Sequence, residues 1–257
     1  MTESKKILNV WGRSHYHKWC NQTVNWCPSD TLEAFRKNAT NPDTRKLLEQ
    51  NGWLGKDITY VFNEYGYRCD SFDLPCEILF AGCSQTMGIG LSLDVLWASR
   101  VADHLKIPYH NIACGGADWQ HVSQRLVYWL PILKPKTVVL KYPPEVRFNW
   151  WDQETAVSTC QFDEEELMSC QVNESRPLID ITECSNGKWY LYSMSEFVRQ
   201  LCKKNNINLI TVPTGRLNHD NENSQQDLAR DLDHHGPLEQ NYTYKYALYK
   251  IKNEEYS

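Results

Sequence analysis

The residues best suited to do chemistry fall in two short stretches. In Phe80-Ala81-Gly82-Cys83-Ser84-Gln85-Thr86 an apolar run ends at a glycine turn that presents a hydroxyl. A serine there, at the carboxyl end of a buried strand with a helix starting behind it, suits a nucleophile. The N–H groups of that helix can stabilise charge developing on a carbonyl oxygen. Serine is a weak nucleophile until a base takes its proton, and the base needs an acid to orient it. The second stretch, Ala229-Arg230-Asp231-Leu232-Asp233-His234-His235-Gly236, supplies both, with Asp231 three residues before His234. That spacing lets the carboxylate reach the imidazole Nδ1 and leaves Nε2 for the serine. His235, with Asp233 solvated, is the alternative base. The chemistry these residues support is acyl transfer.

Such a site needs both stretches at one edge of a sheet. From Cys76 the chain repeats a unit of buried strand, glycine-bearing loop and helix: CEILFAG before LDVLWASRVADHLK, then IPYHNIACGG before DWQHVSQRLVYWLPIL. KPKTVVLKYPP is a third strand, SEFVRQLCKKNN and INLITVPTG a further helix and strand, and EQNYTYKYALYKI a closing helix. Strands alternating with helices predict a parallel sheet covered on both faces. Ligands on such sheets bind at the carboxyl ends of the strands. Ser84 follows the first core strand and Asp231–His234 the last, so both belong to that edge. Upstream, Ser29 or Asp30 is expected to cap a helix through TLEAFRKNA, and a second helix follows Asn41-Pro42. Ile58, Tyr60 and Phe62 alternate with polar residues as in a half-buried strand.

Other readings of the glycine turn fail letter by letter. A phosphate-binding loop would need a lysine after Gly88, a dinucleotide fingerprint fails at Leu93, and the lipase-type elbow has Thr86 where its last glycine belongs. Composition narrows the partners. The chain has 257 residues, a formal charge of −5 and a hydrophobic content of 41%, enough for a self-sufficient core. The acidic balance argues against nucleic acid, which draws its affinity from clustered Lys and Arg. No run reaches the ~18 apolar residues needed to span a bilayer, and no signal peptide is recognisable. The expected location is cytoplasmic, and the 10 cysteines are expected to be reduced thiols.

Taken together and in order, these blocks resemble the SGNH hydrolases, also called the GDSL esterase/lipase family. Gly82-Cys83-Ser84-Gln85-Thr86 is similar to the family's first block, with Cys83 in place of the usual Asp, and Asp231-x-x-His234 to its last. The resemblance spans roughly residues 58 to 250. It implies a three-layer α/β/α sandwich with a mainly parallel, flavodoxin-like sheet. By it Ser84 is the nucleophile, His234 the general base and Asp231 the orienting acid. Cys114-Gly115-Gly116 lies where the second block supplies an oxyanion N–H, and Gly116 is the residue chosen. The third block, G-x-N-D, is missing: TVVLKYPPEVRFNW has prolines there. Asn149 or Arg147 would have to serve as the side-chain donor. Asn63-x-x-Gly66-Tyr67-Arg68 resembles a lead-in seen in many carbohydrate-acting or uncharacterised members of the superfamily.

The resemblance implies a serine esterase that removes a small, acetyl-like acyl group, with a glycan or small molecule as the alcohol, and needs no metal or organic cofactor. An acyltransferase uses the same residues. The reading from another class is a non-catalytic glycan- or protein-binding or assembly protein on this fold. Structural roles compete at each position. Ser84 could simply cap a helix, and His234 could be a surface imidazole. His15, His17, Cys20 and Cys27 are zinc-ligand types without a knuckle spacing, and Asp231, Asp233, His234 and His235 are cation-ligand types. Trp150 and Trp151, with Arg147, lie after the third core strand as a candidate substrate-binding group. The expected organisation is a helical or irregular extension over residues 1–56 and a hydrolase domain over 57–257, with an irregular acidic insertion at about 150–187. The oligomeric state is not legible.

Overall fold

The computed structural model describes residues 12, 14–143, 147–150, 158–161, 184–214 and 227–254, with backbone alone at 147–150, 158–161, 184–191 and 254. Its centre is a four-stranded parallel sheet of β3 (Ile78–Ala81), β4 (Tyr109–Asn111), β5 (Thr137–Lys141) and β8 (Asn208–Val212), in the order β4-β3-β5-β8. Leu79 lies opposite His110 on one side and Val138 on the other, and Val139 opposite Ile210. The first core strand is thus flanked by the second and third, the doubly wound order, and the strand direction of crossover reverses at β3/β5.

Alternation along the strands makes the layers. Leu79, Ala81, Val138 and Leu140 face one core with Val122, Leu126 and Trp129 of α5 (Trp119–Leu133) and Val198 of α6 (Cys184–Lys204). Ile78, Phe80, Val139, Ile210 and Val212 face the other, against Trp97 and Val101 of α4 (Trp97–Leu105) and Ala247 and Ile251 of α7 (Pro237–Glu254). Both faces of each strand are buried, which is why these strands read as unbroken apolar runs. The result is the α/β/α sandwich expected from the sequence. Among the described residues no helix is long and apolar enough to cross a membrane.

Residues ahead of β3 join the first of these cores through Tyr16, Leu48, Trp53, Ile58, Tyr60 and Phe62. The alternation at 58–62 buries those side chains as expected, but only Tyr60–Val61 (β2) is strand, paired antiparallel with Thr23–Val24 (β1). Helices α1 (Leu32–Thr40) and α2 (Pro42–Gln50) lie where the sequence places them. The cap of α1 is a correction: Thr31, not Ser29 or Asp30, accepts the hydrogen bond from the Ala34 N–H. Ser29 sits at φ 73°, and Asp30 is turned inward to another partner. After β5, Arg147–Trp150 (β6) pairs antiparallel with Ser158–Gln161 (β7) as a separate ribbon.

Candidate active site

β3 stops at Ala81, and Gly82 makes the turn at φ 152°. A side chain at Gly82 would lie 2.5 Å from Thr86 Oγ1 and 2.9 Å from the Lys141 carbonyl oxygen, so the turn needs glycine for space as well as for conformation. Cys83 is then the N-cap of a single helical turn, α3 (Ser84–Met87), and its carbonyl accepts from the Thr86 and Met87 N–H groups at 3.0 Å. Ser84 is the first helical residue, not the cap, and its N–H has no intrahelical partner. Its hydroxyl makes no hydrogen bond to a described residue, and the side chain is largely buried at 5% exposure. The sequence reading makes residues 83–92 a loop ahead of a helix from Leu93; the structure sets the one-turn helix α3 inside that loop, and the chain leaves it at Gly88 and turns again before α4.

The second stretch is a loop closed on itself. Leu228 and His235 form a β-bridge, the Ala229 N–H donates to His234 O at 2.9 Å, and the Gly236 N–H to Asp227 O at 2.9 Å. The Asp227 carboxylate accepts from the Leu238 and Glu239 N–H groups at the start of α7, fixing both ends. Within the loop, Asp231 Oδ2 lies 2.5 Å from His234 Nδ1, while Asp231 Oδ1 accepts from the His234 and Asp233 N–H groups at 3.2 and 3.3 Å. The Asp231 side chain is fully buried and that of His234 is 12% exposed. Asp233, by contrast, is 80% exposed and 4.0 Å from the same imidazole nitrogen. An Nδ1–H held by Asp231 leaves the Nε2 lone pair as the basic site.

The second stretch touches the segment that follows the first, at Gly90. Its carbonyl accepts from the Arg230 N–H at 3.0 Å, and a side chain at Gly90 would lie 2.8 Å from Ala229 Cβ and 3.2 Å from Asp231 Oδ1. Arg68 holds the same segment from the other side, donating to the carbonyls of Gly88 and Leu91 at 2.5 and 2.7 Å. Just before it, Asn63 Oδ1 accepts from the Tyr65 and Tyr67 N–H groups, so the Asn63-x-x-Gly66-Tyr67-Arg68 motif is a turn that aims this arginine. No hydrogen bond joins Ser84 Oγ to His234 among the described residues.

The loop after β4 lies beside the Gly82 turn: the Cys114 N–H points to Gly82 O at 3.4 Å, and Gly116 has φ 72°. Arg147, Asn149 and Trp150 belong to β6, opposite Gln161, Thr159 and Ser158, and their side chains lie outside the described residues. Trp151 and the acidic run Asp163–Glu166 lie outside them altogether.

The zinc-ligand types do not gather. His15 Nδ1 faces Gly115 O at 3.3 Å and Cys27 Sγ faces Pro28 O. Burial, with Arg125 and His121 nearby, pushes the His15 imidazole down to about 2, so it is neutral. Cys27, Cys69, Cys76, Cys83, Cys114 and Cys202 are free thiols. Among the described residues, Asp231, Asp233 and His234 alone place three metal-ligand atoms within 4.8 Å of one another. Nδ1 there already faces Asp231, so a cation would compete with the acid–imidazole bond.

Three features have no counterpart in the sequence reading. Asp118 and His121 form a second D-x-x-H pair, at 2.7 Å and fully buried, with Asp118 also capping α5 through the His121 N–H. Lys141, at the end of β5, is buried and donates to Thr243 Oγ1 at 3.0 Å, and burial lowers its pKa. Arg230, the neighbour of Asp231, makes a buried bidentate pair with Asp30. The first was legible as a spacing; the other two join residues far apart in the chain and leave no local pattern.

No protein-family model matches the chain, and no curated protein matches it. Among solved structures it is similar to TesA, at 13% identity over 68% of this chain and 98% of that one, with a TM-score of 0.42. It is also similar to the psychrotrophic esterase EstA from Pseudoalteromonas sp., at 13% identity over 70% and 98%, with a TM-score of 0.40. A third is the acetyl xylan esterase Est2A from the rumen bacterium Butyrivibrio proteoclasticus, at 11% identity over 70% and 64%, with a TM-score of 0.36.

Proposed function

We propose that the chain is a serine ester hydrolase of the SGNH type, with Ser84 as nucleophile, His234 as general base and Asp231 as the acid that orients it. The observation that carries this reading is the Asp231–His234 pair at 2.5 Å on a loop fastened to the segment that follows Ser84. In the proposed reaction His234 Nε2 takes the Ser84 proton as Oγ attacks the ester carbonyl, and returns it to the leaving alcohol. Water, activated the same way, then releases the acid from the acyl-serine. The N–H groups of Ser84 and Gly116 are the proposed oxyanion donors, with Asn149 or Arg147 as the side-chain donor in place of the missing third block. The substrate class is a small acyl ester, acetyl-like, on a carbohydrate or another polar alcohol.

Intact-mass labelling with a fluorophosphonate, beside a p-nitrophenyl acetate assay, tests this. One label per chain, lost in Ser84→Ala and slowed at least a hundredfold in His234→Ala, is expected. Folded protein that neither labels nor turns over p-nitrophenyl acetate would overturn the hydrolase and favour the non-catalytic binding protein.

A further inference from the structure

We propose that Asp30 is a positioning residue of the site, the hub through which the segment before β3 sets the His234 loop against the Ser84 turn. This rests on the hydrolase reading above for its purpose, but its geometry stands independently. Asp30 is 1% exposed and both its oxygens are used. Arg230 Nε donates to Oδ1 at 2.9 Å, Arg230 Nη2 to Oδ2 at 2.6 Å, and the Tyr60 hydroxyl to Oδ2 at 2.5 Å. The same Tyr60 oxygen accepts the Gly90 N–H at 2.8 Å, and Gly90 O accepts the Arg230 N–H at 3.0 Å. The bonds therefore close a ring: Asp30, the Arg230 side chain, the Arg230 backbone, Gly90, Tyr60 and back to Asp30.

Two members of that ring, Arg230 and Gly90, adjoin Asp231. Arg230 is bonded covalently to Asp231, and Gly90 lies against Asp231 Oδ1 on the segment that continues from α3. Burial raises the Tyr60 pKa, so its hydroxyl stays protonated and can donate to Asp30 while accepting from Gly90. The ring is held from outside as well. Trp26 covers the Arg230 guanidinium at 3.9 Å, Arg230 Nη2 also donates to Asn25 O, and Trp53 Nε1 donates to Leu228 O. Bidentate pairing fixes a guanidinium in angle as well as in distance. Arg230 thus has one orientation available, and Asp231 follows it. The third hydrogen bond to Asp30 comes from Tyr60, which in turn accepts the Gly90 N–H, so the pair is tied to the segment that packs on Asp231.

The test uses the full chain with Asp30→Asn, which keeps the shape and removes the charge, the double variant Asp30→Asn/Arg230→Gln, which leaves no unpaired ion, and Tyr60→Phe, which removes only the bridging hydroxyl. Two readouts are needed: the second-order rate of fluorophosphonate labelling, and the low-field proton resonance of the Asp231–His234 bond, assigned by its loss in Asp231→Asn. The buried Asp118–His121 proton is the internal control. The expected result in all three variants is labelling slowed roughly ten- to a hundredfold with full final stoichiometry. The Asp231–His234 resonance moves or broadens while the control stays in place. Folded variants with the resonance unmoved overturn the proposal, whatever the labelling rate, because the pair would then not be displaced. If the unaltered chain does not label at all, the hydrolase reading falls and the resonance alone decides the positioning role. If Asp30→Asn does not fold, the double variant and Tyr60→Phe decide it.

Discussion

Asp231 is held by more than its histidine. Two backbone N–H groups and the imidazole share its two oxygens, so the carboxylate is fixed before any substrate arrives. Asp231→Asn keeps the shape but presents an amide N–H₂ or a weaker acceptor to Nδ1, which favours the wrong tautomer. The expected outcome is a loss of roughly a thousandfold or more in p-nitrophenyl acetate turnover with the melting temperature little changed. At Gly82 the expected effect is on folding as well: Gly82→Ala forces an L-residue into φ 152° against Thr86 and the Lys141 carbonyl. It should cost about 1–3 kcal/mol in a denaturant titration. The residues of the proposed triad were legible because each stretch is local and its chemistry is contained in a few consecutive letters. D-x-x-H was not sufficient by itself, since Asp118–His121 satisfies it equally at a helix cap. Position after the last core strand separates the two. Arg230–Asp30 was invisible for the opposite reason: its members stand 200 residues apart.

Elements position these residues through loops that touch, and Gly90 is where they touch. Gly90→Ala places a methyl group against Ala229, Arg230 and Asp231, so the His234 loop must lift. Labelling of Ser84 is expected to fall by more than the loss of stability explains, which a comparison of labelling rate with unfolding midpoint checks. Asp227→Ala removes the cap of α7 and should cost about 1–2 kcal/mol. The strands and main helices were readable because a buried parallel strand is a short apolar run and an amphipathic helix repeats on its face. The misread cap at Ser29–Asp30 has a physical cause. Three cap-competent residues stand in a row there, Ser29, Asp30 and Thr31, and tertiary pairing takes Asp30 away, leaving Thr31 to bond the Ala34 N–H. The ribbon β6–β7 carries no such run and offered no strand signal.

At the scale of the molecule, a neutral buried His15 couples stability to pH. Its folded pKa of about 2 lies below its ordinary 6.5, so between those values the unfolded chain takes up a proton that the folded chain refuses. Stability is complete above pH 6.5 and declines as pH falls below it. From pH 7 to 5 this histidine should remove about 2 kcal/mol, read as a falling urea midpoint, and His15→Gln should flatten that part of the curve. His110, also lowered by burial, adds to the slope in the same direction. Arg230→Ala would leave Asp30 buried without its cation and should cost about 3–5 kcal/mol.

The 200-residue separation of Asp30 and Arg230 also sets an order of events in time. During synthesis the segment around Trp26, Asp30 and Tyr60 leaves the ribosome long before the loop that completes the site, and contacts so distant in sequence close late. Until residue 230 has emerged, Asp30 and Tyr60 lack the partner that closes the ring. On the proposed mechanism, a nascent chain that has not yet exposed residues 230–234 lacks both the base and the ring that positions it, so fluorophosphonate should leave it unlabelled.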